Sequence, residues 1–99
     1  MPLKTFKLSA TVSSENLDGV RATLEAFLGT KARIERTSNG FEVEATLVGV
    51  EARELNRRLL SGMRRVEKST RLRAEWTADG VTEKFFDYVF VKERGSSQT

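Results

Sequence analysis

The sequence predicts an α+β domain in which two helices cover one face of an antiparallel sheet. Several short segments alternate apolar and polar residues, which is typical of half-buried strands. Two longer segments repeat their apolar residues every three or four positions, which indicates amphipathic helices. The pairs Asn39-Gly40 and Asp79-Gly80 mark tight turns between strands. The resulting order of strand, helix, hairpin, helix and hairpin matches the β-α-β-β-α-β arrangement called ferredoxin-like, with an added C-terminal strand.

Length and composition limit the class of protein. The chain of 99 residues is long enough for one two-layer domain. We expect that domain to span residues 1–93 and to be followed by a flexible polar tail at residues 94–99. No apolar run approaches the ~18 residues of a membrane helix, and the N-terminal residues lack an apolar signal-peptide core. We therefore expect a cytoplasmic protein that does not contact a membrane.

The residue types that are missing restrict the possible chemistry. The sequence contains neither cysteine nor histidine, which excludes disulfides, thiol and imidazole catalysis, and the usual zinc ligands. It also lacks a glycine-rich phosphate loop and a serine-centred elbow. We therefore expect no enzymatic activity, no bound metal and no cofactor.

The first strand and the first helix follow from these patterns. The strand residues expected to face the core are Phe6, Leu8, Ala10 and Val12. Ser13 or Ser14 is expected to cap the helix, because its side-chain oxygen can accept a hydrogen bond from a free first-turn amide. The apolar face of the helix consists of Leu17, Val20, Leu24, Phe27 and Leu28. Gly29 is expected to end the helix.

The next two strands are predicted to form a hairpin around Asn39-Gly40. This pair is preferred in a two-residue type I′ turn, in which both residues have positive φ. Such a turn pairs Ser38 with Phe41. The apolar residues that then share one face are Ala32, Ile34, Phe41, Val43, Ala45 and Leu47. Turn chemistry and hydrophobic pattern therefore agree on one register.

The second helix, predicted within residues 51–73, combines an apolar face with a basic one. Its apolar face consists of Leu55, Leu59, Met63 and Val66. The opposite side carries Arg53, Arg57, Arg64 and Lys68 in one stripe, with Arg58 and Arg65 beside it. Guanidinium groups fork onto phosphate oxygens, so we expect these six residues to bind nucleic acid. The alternative is an ordinary solvated helix face, and Glu54 is placed to form a simple ion pair with Arg58.

The last strand, predicted over residues 81–91, is apolar on both faces. Strand parity places Phe86, Tyr88 and Phe90 on one face and Phe85, Val89 and Val91 on the other. A half-exposed edge strand should be apolar on one face only, so either a second surface covers the other face or the register carries a bulge. We interpret Phe86, Tyr88 and Phe90 as a homodimer interface. The alternative is that the tail and helices of the same chain cover the strand.

The sheet face away from the helices is predicted to be polar. It is expected to carry Lys7, Ser9, Thr11, Glu42 and Glu44. Because carboxylates repel phosphate, we do not expect nucleic-acid bases to stack on this face. We expect Glu35, Glu42, Glu44 and Glu75 to form cross-strand ion pairs rather than a catalytic acid–base pair.

The second helix also carries a resemblance to a known family. It begins Val50-Glu51-Ala52-Arg53-Glu54-Leu55 and continues with Leu59, Ser61, Met63-Arg64 and Val66. In this helix and in the order of elements over residues 6–66, the chain resembles the small dimerising subunit of the KEOPS complex, a tRNA threonylcarbamoyladenosine modification assembly. The hairpin over residues 72–91 is outside that family's usual pattern. The resemblance implies a non-catalytic dimerisation subunit that supports tRNA binding.

Together these features predict a small, non-catalytic binding module. We expect it to associate with RNA or a ribonucleoprotein through the basic helix, and to form a homodimer or a small protein assembly through its C-terminal aromatic strand. The alternative is a structural or regulatory oligomerisation domain with no nucleic-acid role.

Overall fold

Two helices pack on one face of a six-stranded antiparallel sheet in the computed structural model of the protein, which describes residues 3–29 and 31–91. The strands are β1 (Lys4–Ser13), β2 (Arg33–Arg36), β3 (Gly40–Gly49), β4 (Arg71–Ala78), β5 (Val81–Phe86) and β6 (Val89–Val91). The helices are α1 (Leu17–Leu28) and α2 (Ala52–Val66). The predicted α+β class, with both helices on one sheet face, is confirmed. The predicted tail at residues 94–99 lies outside the described residues.

The strand order across the sheet is β2-β3-β1-β4-β5-β6, and every neighbouring pair is antiparallel. The sheet therefore has one strand more than the five predicted. Neither helix is long and apolar enough to cross a membrane, in the part of the chain that the structure describes.

The core lies between the helices and the inner face of the sheet. Trp76 is fully buried there, and its indole Nε1 donates a hydrogen bond of 3.1 Å to Oδ1 of Asn56. Asn56 is also buried, and its Nδ2 donates to the backbone carbonyl of Asp87 over 2.8 Å. These bonds satisfy polar groups that would otherwise be costly to bury. They also join α2, β4 and the turn after β5.

The cap of α1 differs from the prediction. Asn16, not Ser13 or Ser14, is the N-cap residue, and its Oδ1 accepts from the amide of Gly19 over 3.1 Å. Ser14 instead forms a hydroxyl–hydroxyl hydrogen bond of 3.0 Å with Thr70. The predicted end of the helix is confirmed, since Gly29 is its C-cap residue.

The β2–β3 hairpin also differs from the prediction. Arg36 pairs with Phe41, so four residues lie between this last pair of the hairpin instead of the predicted two, and the register is shifted by two residues. Asn39 and Gly40 do not have positive φ, so the predicted type I′ turn is wrong. Gly40 is required for another reason, because a Cβ atom there would collide with the backbone carbonyl oxygen of Val12 in β1. The shift by two preserves strand parity, so the apolar face is unchanged.

The C-terminal segment is a hairpin rather than one continuous strand. β5 ends at Phe86, Asp87 takes a φ of 56°, and β6 begins at Val89. Phe86 pairs with Val89, and Phe85 pairs with Phe90. Phe90 therefore lies on the helix side of the sheet, against the buried ring of Phe85, while Phe86 lies on the opposite side. The predicted common face for Phe86, Tyr88 and Phe90 is wrong, because the reversal at Asp87 interrupts the alternation.

Candidate functional site

The exposed side of α2 is the most strongly basic element of the described chain. Leu55, Leu59 and Met63 are buried as predicted, whereas Val66 is partly exposed at the last position of the helix. The burial of this face turns the opposite side of α2 to solvent. Across its fifteen residues the helix contains five arginines, which are Arg53, Arg57, Arg58, Arg64 and Arg65, and a single carboxylate, Glu54.

Arg57 forms an ion pair with Glu54. Its Nη2 donates to both carboxylate oxygens, at 2.7 Å each. The predicted partner was Arg58, but the i, i+3 spacing to Arg57 forms the observed pair. The hydrogen bond from Arg57 lowers the pKa of Glu54 and raises the pKa of Arg57. The pair is therefore present at neutral pH and is lost as the pH falls through the lowered pKa of Glu54. Both side chains are largely exposed, so the pair stabilises the fold little.

Arg64 links α2 to the residue before β4 and to the turn after β5. Its Nε donates to the carbonyl oxygen of Thr70 over 2.9 Å, and its Nη2 lies 3.5 Å from Oδ1 of Asp87. The side chain is only 29% exposed. Arg64 was predicted to bind nucleic acid from the solvent-exposed stripe. The structure places it in a structural cross-link instead.

Asp87 fixes the position of the turn that follows β5. Its Oδ1 accepts from the amide of Leu72 over 2.9 Å, and its Oδ2 accepts from Nε of Arg71 over 3.1 Å. The amide of Asp87 donates to the carbonyl oxygen of Leu72 over 2.7 Å. Together with the bond from Asn56, these contacts hold the turn against α2 and the start of β4.

Tyr88 follows directly in this turn and lies beside α2. Its hydroxyl is 3.0 Å from Oγ of Ser61, and the guanidinium carbon of Arg64 is 5.3 Å from its ring centroid. The ring remains 45% exposed. The sequence placed Tyr88 in a separate aromatic interface, whereas the structure brings it next to the basic helix. We define the α2 surface as Arg53, Arg57, Arg58, Arg65 and Tyr88.

Lys68 is not part of this surface. α2 ends at Val66, and Lys68 lies in the turn that leads to β4, so the predicted helical position is wrong. That turn is stabilised by Glu67, whose carboxylate accepts from the hydroxyl and the amide of Ser69. These two hydrogen bonds lower the pKa of Glu67.

Phe86 occupies the open face of the sheet, which is the face opposite the helices. The guanidinium carbons of Arg73 and Arg71 lie 5.2 Å and 5.7 Å from its ring centroid. The prediction that this face carries only polar residues is therefore incomplete. The reversal after β5 places Phe86 on this face, and Asp87 was the residue in the sequence that could have indicated it. Aspartate tolerates positive φ and favours a tight turn.

Comparison with known proteins adds no relative. No protein-family model matches the chain, and no curated protein or solved structure is significantly similar to it. The resemblance to the KEOPS subunit therefore stays a prediction.

Proposed function

We propose that the protein is a small, non-catalytic binding module that contacts RNA through the α2 surface. One observation carries the proposal. Arg53, Arg58 and Arg65 are exposed, and none of them has a carboxylate within 4 Å among the described residues. Unpaired guanidinium groups on a rigid helix are ready to bind phosphate, since no internal ion pair has to be broken first.

The length of the surface suits a nucleic-acid strand. Arg53 and Arg65 are twelve residues apart on α2, which corresponds to about 18 Å along the helix axis. Cations spread over that distance can contact several successive phosphates. This geometry favours an extended polyanion over a single small anion.

Tyr88 favours RNA with unpaired bases. Its ring lies at the edge of the basic surface, is half-exposed and is held by Ser61 and by the turn at Asp87. Unstacked bases in RNA loops and single strands stack on exposed aromatic rings of this kind. Phosphates on the arginines and a base on Tyr88 would together bind single-stranded RNA.

The order β2-β3-β1-β4 supports a ferredoxin-like assignment for the first four strands and the two helices, with the β5–β6 hairpin as an addition. A role beside tRNA rests on the resemblance to the KEOPS subunit alone. A cytoplasmic location suits such a role and stays a prediction.

Removing the unpaired arginines should weaken RNA binding. The triple variant Arg53→Gln, Arg58→Gln, Arg65→Gln keeps the buried face of α2 intact and removes three charges. We expect its affinity for a labelled single-stranded oligo(U) to fall by at least about tenfold at about 50 mM salt, since the lost contacts are to phosphate. Fluorescence anisotropy measures the change.

A matched control separates this surface from the overall charge. Lys31, Arg21 and Arg36 are also exposed cations, but they lie outside α2. Changing these three to Gln removes the same charge and should lower the affinity by less than about threefold. Equal losses in the two triple variants would contradict a specific α2 surface.

Glu54→Gln should have the opposite effect. It removes the only carboxylate of α2 and releases Arg57 from its ion pair. Binding of oligo(U) should tighten by about 3- to 10-fold, because one more guanidinium becomes available to phosphate. Lowering the pH through the pKa of Glu54 should tighten binding by the parent protein in the same direction, and this tightening should be smaller in the variant, which retains only the contribution of the other carboxylates. An unchanged affinity of Glu54→Gln would show that Arg57 does not contact the ligand.

The second candidate function is a structural or regulatory oligomerisation domain without a nucleic-acid role. Exposed apolar side chains near the β5–β6 edge favour it, namely Phe86, Val89, Phe90 and Val91. Absence of oligo(U) binding by the parent protein, together with self-association, would support this alternative.

A further inference from the structure

The open face of the sheet has an ordered distribution of side chains. One row of residues crosses all six strands at the same level, in the order Glu35, Glu42, Thr11, Arg73, Phe86 and Val89. The neighbouring row on the same face contains Arg33, Glu44, Ser9, Glu75, Lys84 and Val91. Both rows have a small hydroxyl residue on β1, near the middle of the sheet.

The two halves of this face differ in charge. The half formed by β2 and β3 carries Glu35, Glu42 and Glu44, with Arg33 bound to Glu35 at 3.0 Å. The half formed by β4 and β5 carries Arg71, Arg73 and Lys84, with Glu75 at 3.8 Å from Lys84. Arg71 is bound to Asp87, whereas Arg73 has no carboxylate within 4 Å among the described residues. The face is therefore acidic on one side of β1 and basic on the other.

The basic half also exposes apolar side chains. Phe86, Val89 and Val91 are 41%, 65% and 40% exposed, and all three lie on the open face. A groove of about 420 Å³ runs beside them, between Thr11 on β1 and Val91 on β6. Exposed apolar groups next to a sheet edge are typical of a protein interface.

A second copy of the chain fits this pattern better than a nucleic acid does. Phosphates would be attracted by Arg73 but repelled by Glu35, Glu42 and Glu44 on the other half. A protein partner must offer cations to the acidic half and carboxylates to the basic half. The open face itself has both, and a two-fold axis parallel to the strands exchanges the two halves.

We propose that the open faces of two copies pack together around a two-fold axis that runs along β1. Thr11 pairs with Glu42 on one side and with Arg73 on the other, so these two residues lie one strand away from the axis in opposite directions. The rotation places Arg73 of each copy over Glu42 of the other. Two sheets pack about 10 Å apart, a distance that an arginine and a glutamate can bridge together.

The rest of the face is compatible with this arrangement. Ser9 and Thr11 near the axis are small and allow close approach. Phe86 lies over Glu35 of the other copy, whereas Val89 lies beyond the edge strand β2 of that copy. The same rotation brings Glu75 over Glu44 and Lys84 over Arg33 of the other copy. Each copy has a cation beside a carboxylate there, with Lys84 at 3.8 Å from Glu75 and Arg33 directly opposite Glu44, so this row adds no net charge. Both α2 surfaces face outward from such a dimer, so self-association and RNA binding are independent properties.

Charge reversal with mixing of variants tests the proposal directly. Sedimentation equilibrium of the full chain should show a dimer at micromolar concentration. Arg73→Glu and Glu42→Arg should each weaken self-association by at least about tenfold, because each places like charges together twice per dimer. An equimolar mixture of the two variants should restore the parent affinity to within about threefold, because both contacts in the mixed dimer are again between opposite charges. Arg36→Glu, on the helix side of β2, is the matched control and should leave the dimer unchanged.

The mixing experiment also excludes effects within one chain. Arg73 and Glu42 are exposed, so their variants should remain folded, and circular dichroism checks this. The neutral variants Arg73→Gln and Glu42→Gln should weaken the dimer without introducing repulsion. A parent protein that stays monomeric at high concentration overturns the proposal. So does a mixture that associates no better than the separate variants. A monomeric parent whose oligo(U) binding is weakened by Arg73→Glu and strengthened by Glu42→Arg would instead identify the open face as a nucleic-acid surface.

Discussion

Leu59→Ala is expected to lower the free energy of unfolding by about 2 to 5 kcal/mol. Leu59 is 1% exposed and lies in the middle of the buried face of α2, between the helix and the sheet. Truncation to alanine removes apolar contacts and leaves a cavity that the rigid sheet cannot fill. Chemical denaturation of the parent and the variant measures the difference.

Val66→Ala is the matched control for this change. Val66 is on the same helix but is 40% exposed, so its truncation should cost less than about 1 kcal/mol. A near-neutral Leu59→Ala would show that α2 presents a different face to the sheet. The assignment of Arg53, Arg58 and Arg65 to solvent would then be wrong as well.

Asp87→Ala should be nearly as disruptive, although Asp87 is not an apolar core residue. The variant loses the acceptor for the amide of Leu72 and both contacts to Arg64 and Arg71. It also places alanine at a φ of 56°, where a residue with a Cβ atom is strained. Unpaired polar groups and backbone strain together should cost about 2 to 4 kcal/mol.

Asp87→Asn separates the turn geometry from the charge. Asparagine retains an oxygen that can accept from Leu72 and also tolerates positive φ, so the turn is kept. The variant loses the negative charge and the hydrogen bond from Arg71, because the amide nitrogen is a donor. We expect a cost of about 1 kcal/mol or less, measured by the same denaturation experiment. Equal stability losses for the alanine and asparagine variants would show that charge, not the turn, is what Asp87 supplies.

Local sequence patterns predict the fold well where one element determines its own geometry. The spacing of four residues between Leu55, Leu59 and Met63 predicted which side of α2 is buried. The Asp79-Gly80 pair predicted the turn between β4 and β5, and both residues have positive φ there. In both cases the residues that give the sequence pattern are the same residues that form the helix face or the turn.

Local patterns fail to predict the structure where a segment distant in sequence determines the local conformation. Asn39-Gly40 has the composition of a type I′ turn, but Gly40 pairs with Ser13 of β1 and is packed against that strand. The close approach of β1, rather than the turn, determines why glycine occurs there. Nothing near residue 40 in the sequence indicates this contact, so the observed connection between β2 and β3 could not be predicted locally.

The candidate site was predicted only in part, for a related reason. The exposure of Arg53, Arg58 and Arg65 follows from helical periodicity, whereas the roles of Arg64 and Tyr88 depend on where the β5–β6 turn is placed. The alternation of faces along a strand does not continue past a chain reversal. Because the chain reverses at Asp87, Tyr88 lies beside the basic helix and Phe86 lies on the open face. Asp87 itself is held by residues from α2 and β4, far away in sequence.

The salt dependence of oligo(U) binding tests the central proposal most directly. Dissociation constants of the parent and of the Arg53, Arg58, Arg65 triple variant are measured between about 50 and 200 mM salt, a range in which phosphate contacts dominate the change in affinity. Each contact to a single strand contributes about 0.7 to the slope of log affinity against log salt concentration. The parent should therefore have a slope of about −2 or steeper, and the triple variant should be flatter by about 2. Equal slopes for the two proteins, or no measurable binding by the parent, would contradict RNA binding through the α2 surface.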